Sequence, residues 1–95
     1  MPHFVYILAS RPGGALYVGS TNDLRRRVDQ HRAEVFGGHT AKYGIKTLVW
    51  FESRELFIDA FARERSIKRW LRSWKDQLIM SLNPEWRDLT AEIPW

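Results

Sequence analysis

The chain has 95 residues, 44% hydrophobic, 14% aromatic and 27% charged, with a formal net charge of +4 from fifteen Lys and Arg against eleven Asp and Glu. That length suits one domain over residues 1–95 with a modest core, in which five tryptophans carry much of the packing. The absence of cysteine excludes disulfides and thiolate-held zinc, no stretch suits a secretion signal or a membrane span, and the basic balance favours a polyanionic partner in a reducing cytoplasm.

In chain order, Phe4-Val5-Tyr6-Ile7-Leu8 opens a first strand, expected over Phe4–Ser10, and Arg11-Pro12-Gly13-Gly14 supplies a turn. Ala15–Gly19 follows as a second strand, making a β-hairpin. Side chains alternate along a strand, so an antiparallel pair closed by an even-length loop faces residues whose numbers sum to an odd value. Tyr6 and Tyr17 meet that condition and are expected close together on one face. Gly19 ends the strand, where a missing side chain lets backbone or ligand come close.

Asn22 can cap a first helix, and Asp23 suits its positive end. This helix is expected from Asn22 to Val35, with Leu24, Val28 and Val35 on one stripe and Gly37-Gly38 ending it. Arg27 and His31 are four residues apart and share a face. In the loop His39–Gly44, Lys42 and Tyr43 could touch a nucleic-acid backbone.

Thr47–Glu52 is the strongest strand pattern and is expected at the centre of the sheet. Ser53 is expected to cap a second helix, about Arg54–Trp70, with a third at Ser73–Leu82 before Asn83-Pro84. The tail from Glu85 reads as coil pinned by Trp86 and Leu89. The order is β-β-α-β-α-α, an α+β fold (an α/β sandwich) with a small mixed or antiparallel sheet covered by helices.

On the second helix, Phe57, Phe61, Glu64, Ile67, Lys68 and Leu71 follow three-and-four spacing, which places Glu64 partly inside and in need of a cation. A structural salt bridge or a glutamate at the edge of the stripe is the plain alternative. A phenol with an ordinary pKa of about 10 is a poor base, but a nearby arginine, metal ion or imidazole can lower it. Arg27 stands in the run Arg25-Arg26-Arg27, and guanidinium geometry suits two phosphate oxygens. His31 could take a proton from Tyr6 or orient it. Lys68, Arg69, Arg72 and Lys75 form a basic band interleaved with Trp70 and Trp74, which either stack on unpaired bases or anchor the core. No P-loop, His-Glu-x-x-His, nucleophile elbow or dinucleotide fingerprint occurs.

Val5-Tyr6-Ile7, Tyr17-Val18-Gly19, Arg27 eight residues beyond Gly19, His31, and Glu64 within Ala62–Lys68 together resemble the GIY-YIG nucleases. Thr40-Ala41-Lys42-Tyr43, Lys68-Arg69-Trp70 and the segment Asn83–Leu89 extend the resemblance to the small stand-alone branch over nearly the whole chain. The first motif departs by carrying Val5 for the middle isoleucine of the family name, with His3-Phe4 before it where a glycine is expected.

The resemblance implies a three-stranded antiparallel sheet flanked by helices. It also implies a metal-dependent endonuclease that hydrolyses nucleic-acid phosphodiester bonds, with DNA favoured. Glu64 would then hold Mg²⁺ (or Mn²⁺). Tyr6 would activate water with His31, and Arg27 and Tyr17 would hold the phosphate. Gly19, Ser20, Thr21, Arg26, Lys42, Tyr43, Lys68 and Arg72 are the further candidate substrate contacts. Single-stranded or branched substrates, a protein partner and a role in DNA repair or recombination are all compatible with the resemblance. The alternative is a non-catalytic, basic nucleic-acid-binding module of the same fold. The enzymatic reading requires Glu64 and the two phenols to look into one hollow beside Arg27.

Overall fold

The computed structural model describes residues 2–33 and 43–94. Its elements are β1 (His3–Ala9), β2 (Leu16–Thr21), α1 (Leu24–Arg32), β3 (Thr47–Arg54), α2 (Phe57–Lys68), α3 (Arg72–Leu82) and a 3₁₀ turn, Thr90–Glu92. Among the described residues, three antiparallel strands and three helices in the order β-β-α-β-α-α make an α+β fold, as expected. Among the described residues no helix is long and apolar enough to cross a membrane.

The sheet order is β2-β1-β3, so β1 is the central strand and β3 an edge, contrary to the expectation. Burial explains the difference. Every β1 residue from Phe4 to Ala9 is buried, as a continuous apolar run covered on both faces requires, whereas Ser53 and Arg54 of β3 are exposed. The hairpin register sets Tyr6 opposite Gly19 and Leu8 opposite Tyr17. The β1–β3 register shifts between Ile7 and Leu8, where Ile7 pairs with Trp50 and Leu8 with Leu48. That irregularity leaves Val49 as an extra residue and lets Val49 and Trp50 serve the same layer.

Alternation splits the core in two. Phe4, Tyr6 and Leu8 pack with Leu24 and Val28 of α1 and with Ile45, Leu48, Leu89 and Ile93. Val5, Ile7 and Ala9 pack with Val18, Val49 and Trp50 and with Ala60, Ile67 and Ile79 from α2 and α3. The sheet is thus sandwiched between α1 with the tail on one side and α2 with α3 on the other.

The helix ends differ from the sequence reading. Asp23, not Asn22, caps α1: its carboxylate accepts the Arg26 N–H at 3.2 Å, while the Thr21 hydroxyl accepts the Asp23 N–H at 3.0 Å. Val35, Gly37 and Gly38 lie outside the described residues. Helix α2 begins only at Phe57 and has no side-chain cap, because Ser53 and Arg54 remain in the ladder opposite Phe4 and His3. Its buried residues are Ala60 and Ile67, while Phe57 and Phe61 are exposed, as is Leu71 beyond its end. Apolar residues occur all round this helix, so spacing alone defines more than one stripe.

Asn83 is more than a helix stop. It is buried, its amide donates to Val49 O (3.1 Å) and Arg87 O (2.7 Å), and its oxygen accepts the Arg87 N–H (3.1 Å). Arg25 donates to Ile93 O at 3.1 Å, and Arg32 pairs with Asp88 at 2.6 Å. These bonds strap the tail across the α1 layer and close the core behind the phenols.

Candidate active site

Tyr6 and Tyr17 lie diagonally across the hairpin on the α1 face, their ring centres 6.2 Å apart. His31, in the last turn of α1, is 2% exposed and packs its ring 4.8 Å from that of Tyr17. The Tyr6 hydroxyl is 3.1 Å from His31 Nε2. Gly19 makes this approach feasible: a Cβ there would sit 2.5 Å from Tyr6 Oη and 2.7 Å from Cζ. The space left by the glycine, expected to admit backbone or ligand, is therefore filled by the protein's own phenol.

Burial pushes the Tyr6 phenol well above its usual range, and the nearby Tyr17 and Glu64 act in the same direction. Arg27 opposes the shift by its charge and by a hydrogen bond to the phenol, but does not overcome desolvation. The expected lowering is thus reversed, because the ring lies inside the core. Burial, and secondarily the Arg27 charge, lowers the His31 pKa below its ordinary 6.5. At neutral pH the phenol is protonated and the imidazole neutral, so Tyr6 O–H donates and Nε2 accepts.

Arg27 is half-buried and carries the arrangement outward. It lines two adjoining grooves of about 230 Å³ each: one with Thr21, Asn22, Asp23, Arg26 and Gln30, the other with His3, Ser20, Thr21, Asn22 and Phe57. The second passes round the end of β2, with Arg27 from one layer and Phe57 from the other. His3 and Phe57, whose rings meet edge-to-face at 5.5 Å, were not singled out for this place by sequence. The only available signal was Phe57 at a helix start, and nothing local links it to His3.

Glu64 reaches the same strand from the opposite side. Ser20 follows Gly19, so it points into the α2 layer. Its hydroxyl donates to one Glu64 carboxylate oxygen, and Lys68 Nζ donates to the other, both at 2.5 Å. The Glu64 side chain is 13% exposed, so it is partly buried and faces a cation, as its helix position suggested. The single hollow expected for acid and phenols is instead the two sides of edge strand β2. Glu64 still acts on Tyr6 through its charge.

One carboxylate with a hydroxyl beside it, at the rim of a polar groove, suits a hard divalent cation that takes its other ligands from water and phosphate. Among the described residues no three His, Cys, Asp or Glu side chains form a metal cage.

Of the other candidates, Arg26 and Thr21 line the grooves, Tyr43 is exposed, and Lys42 lies outside the described residues. Arg72 is not brought to the groove: it donates to Asp76 at 2.8 Å and to Gly14 O, in the hairpin turn at the other end of the sheet, at 2.7 Å. Trp70 packs against the core, while Trp74 is 52% exposed.

Residues 2–77 match the GIY-YIG catalytic domain family. The chain is 35% identical over 91 residues to a UPF0213 protein of Clostridium perfringens, covering 96% of this chain and 97% of that one. It is 37% identical over 76 residues to a UPF0213 protein of Haloquadratum walsbyi, covering 80% and 84% respectively. It is similar to the solution NMR structure of a UPF0213 protein from Bacillus halodurans, with a TM-score of 0.55, 30% identity and 87% of each chain covered.

Proposed function

The chain belongs to the GIY-YIG catalytic-domain family, a nuclease family, and from that premise we propose that it is a divalent-metal-dependent endonuclease. In this reading one domain over residues 1–95 hydrolyses nucleic-acid phosphodiester bonds, with DNA favoured and single-stranded or branched forms included, in the cytoplasm. The acid and the phenols do not share one hollow, so this reading rests instead on the buried Tyr6–His31 hydrogen bond, set behind an arginine that lines a polar groove, with Glu64 acting on Tyr6 by its charge from the other side of edge strand β2.

Tyr6 is fully buried and Arg27 is hydrogen-bonded to it, so the guanidinium stands between the phenol and the groove. A scissile phosphate competes for that guanidinium, which suits two of its oxygens. Drawing Arg27 toward phosphate opens the phenol to the attacking water. As the water oxygen bonds to phosphorus, its proton passes to Tyr6 Oη and the phenolic proton passes to His31 Nε2. No standing phenolate is required, which suits a phenol of raised pKa beside a neutral imidazole. The scissile P–O bond breaks and the leaving oxygen takes a proton from solvent. Arg27 and Tyr17 hold the phosphate, and Arg26 and Thr21 line its approach.

Glu64, beside Ser20, would hold the Mg²⁺ or Mn²⁺. When bound, that ion supplies neutralisation of the charge gathering on the phosphoryl and leaving oxygens.

The complete burial of Tyr6 favours a second reading, a basic nucleic-acid-binding module without turnover. Labelled single-stranded, duplex and flap DNA and RNA, incubated with Mg²⁺, Mn²⁺ or chelator alongside Glu64→Gln, separates the two. The enzyme shortens strands only when metal is present and loses this with Glu64→Gln. Retarded but intact strands under every condition would leave the binding module.

A further inference from the structure

Glu64 holds one carboxylate against Ser20, which lines the groove, and both of its oxygens are already held. Ser20 donates to one, and Lys68, one helical turn further along α2, donates to the other. The Lys68 side chain is 49% exposed and that of Glu64 13% exposed, so the ammonium is the solvent-facing member of the pair. The neighbouring cations of α2 are occupied elsewhere. Arg63 pairs with Glu52 at 3.3 Å and lies over Trp70 at 5.2 Å, and Arg65 lies over Phe61 at 5.5 Å.

We propose that Lys68 is a positioning residue, an exchangeable counter-ion that holds Glu64 against Ser20 in the metal-free protein and sets the affinity of that carboxylate for a divalent cation. The inference rests on the reading that Glu64 is the metal ligand. An ammonium and a hard cation seek the same lone pairs, so one must yield. An exposed ion pair between residues four apart on a helix is weak and screened, which makes the lysine the group that leaves. Residue type matters as well. Lysine is a point charge on a flexible stem and can withdraw, whereas an arginine fork would clamp both oxygens. After withdrawal the remaining positive charge still repels the dication, so affinity falls below that of a bare carboxylate.

The test uses Mn²⁺ alone, without nucleic acid, titrated into the full chain and followed by paramagnetic broadening of the Ser20 and Glu64 amide signals. Lys68→Met should bind Mn²⁺ about two- to fivefold more tightly than the wild type, the scale of an exposed ion pair. Lys68→Arg should bind it more weakly, and both differences should shrink with added potassium chloride. Circular dichroism of each variant checks that the helix persists. Equal or weaker binding by Lys68→Met overturns the proposal. Glu64→Gln separates the two levels: if it loses binding while Lys68→Met is unchanged, only the counter-ion role fails. If Glu64→Gln binds Mn²⁺ like the wild type, the metal assignment fails and the counter-ion role with it.

Discussion

On the α1 face of the sheet, Tyr6 and His31 share a hydrogen bond inside the core; on the α2 face, Glu64 and Lys68 share an ion pair at the surface. The first pair is fixed by packing, since Tyr6 and His31 are almost wholly buried and the phenol fills the space left by Gly19. The second is held by groups that water and ions can replace. The two pairs suit different parts of the proposed reaction. Proton transfer profits from dry, rigid and neutral partners, whereas recruiting a cation needs an accessible charge. Strand β2 joins them, because Gly19 faces one layer and its neighbour Ser20 the other.

The largest expected effect breaks the α2 side alone. Glu64→Gln should lower metal-dependent cleavage about a thousandfold, while stability changes by about 1 kcal/mol or less, as for a partly exposed pair. Cleavage assays beside thermal melts check this. Unchanged cleavage would remove Glu64 from the mechanism.

Gly19→Ala probes the opposite side and should hurt rate and stability together. A Cβ 2.5 Å from Tyr6 Oη forces the ring to move. Misplacing it should cost about a hundredfold in rate, and overpacking about 1–3 kcal/mol. A variant as stable and active as the wild type would show that the phenol's position is not fixed by the strand.

Acidity sharpens the contrast more gently. His31 must be neutral to accept from Tyr6, and its pKa is lowered from 6.5, so the rate should be level through neutrality and fall in acid as the imidazole protonates. Stability follows the same sign. The unfolded chain binds this proton more readily, so the contribution is full above 6.5 and lost as pH falls through the folded value. A pH–rate profile of the wild type beside His31→Gln tests this, since the variant should lose that acid limb.

The smallest effect belongs far from both sides. Arg72→Ala removes bonds to Asp76 and to the hairpin turn, so it should leave cleavage unchanged and cost about 1 kcal/mol or less in stability. A severalfold loss of rate would bring Arg72 back as a substrate contact.

Much of this was legible in the chain. Parity placed Tyr6 and Tyr17 on one face, and helical spacing put Arg27 beside His31 and Glu64 partly inside. What misled was equally physical. Apolar residues all round α2 concealed its inward side, and a strong β pattern in Thr47–Glu52 hid the greater burial of Phe4–Ala9. The arginine beside Tyr6 suggested a lowered phenol pKa, because a sequence shows neighbouring charge but not desolvation.

The order of elements, the hairpin and the faces within each element can be read along the chain, since turn chemistry and periodicity are local properties. Long-range packing sets β1 at the centre, brings Glu64 from the layer opposite the phenols, and lets burial outweigh Arg27 at Tyr6. Those outcomes depend on contacts between residues far apart in the chain and on how completely those contacts exclude water.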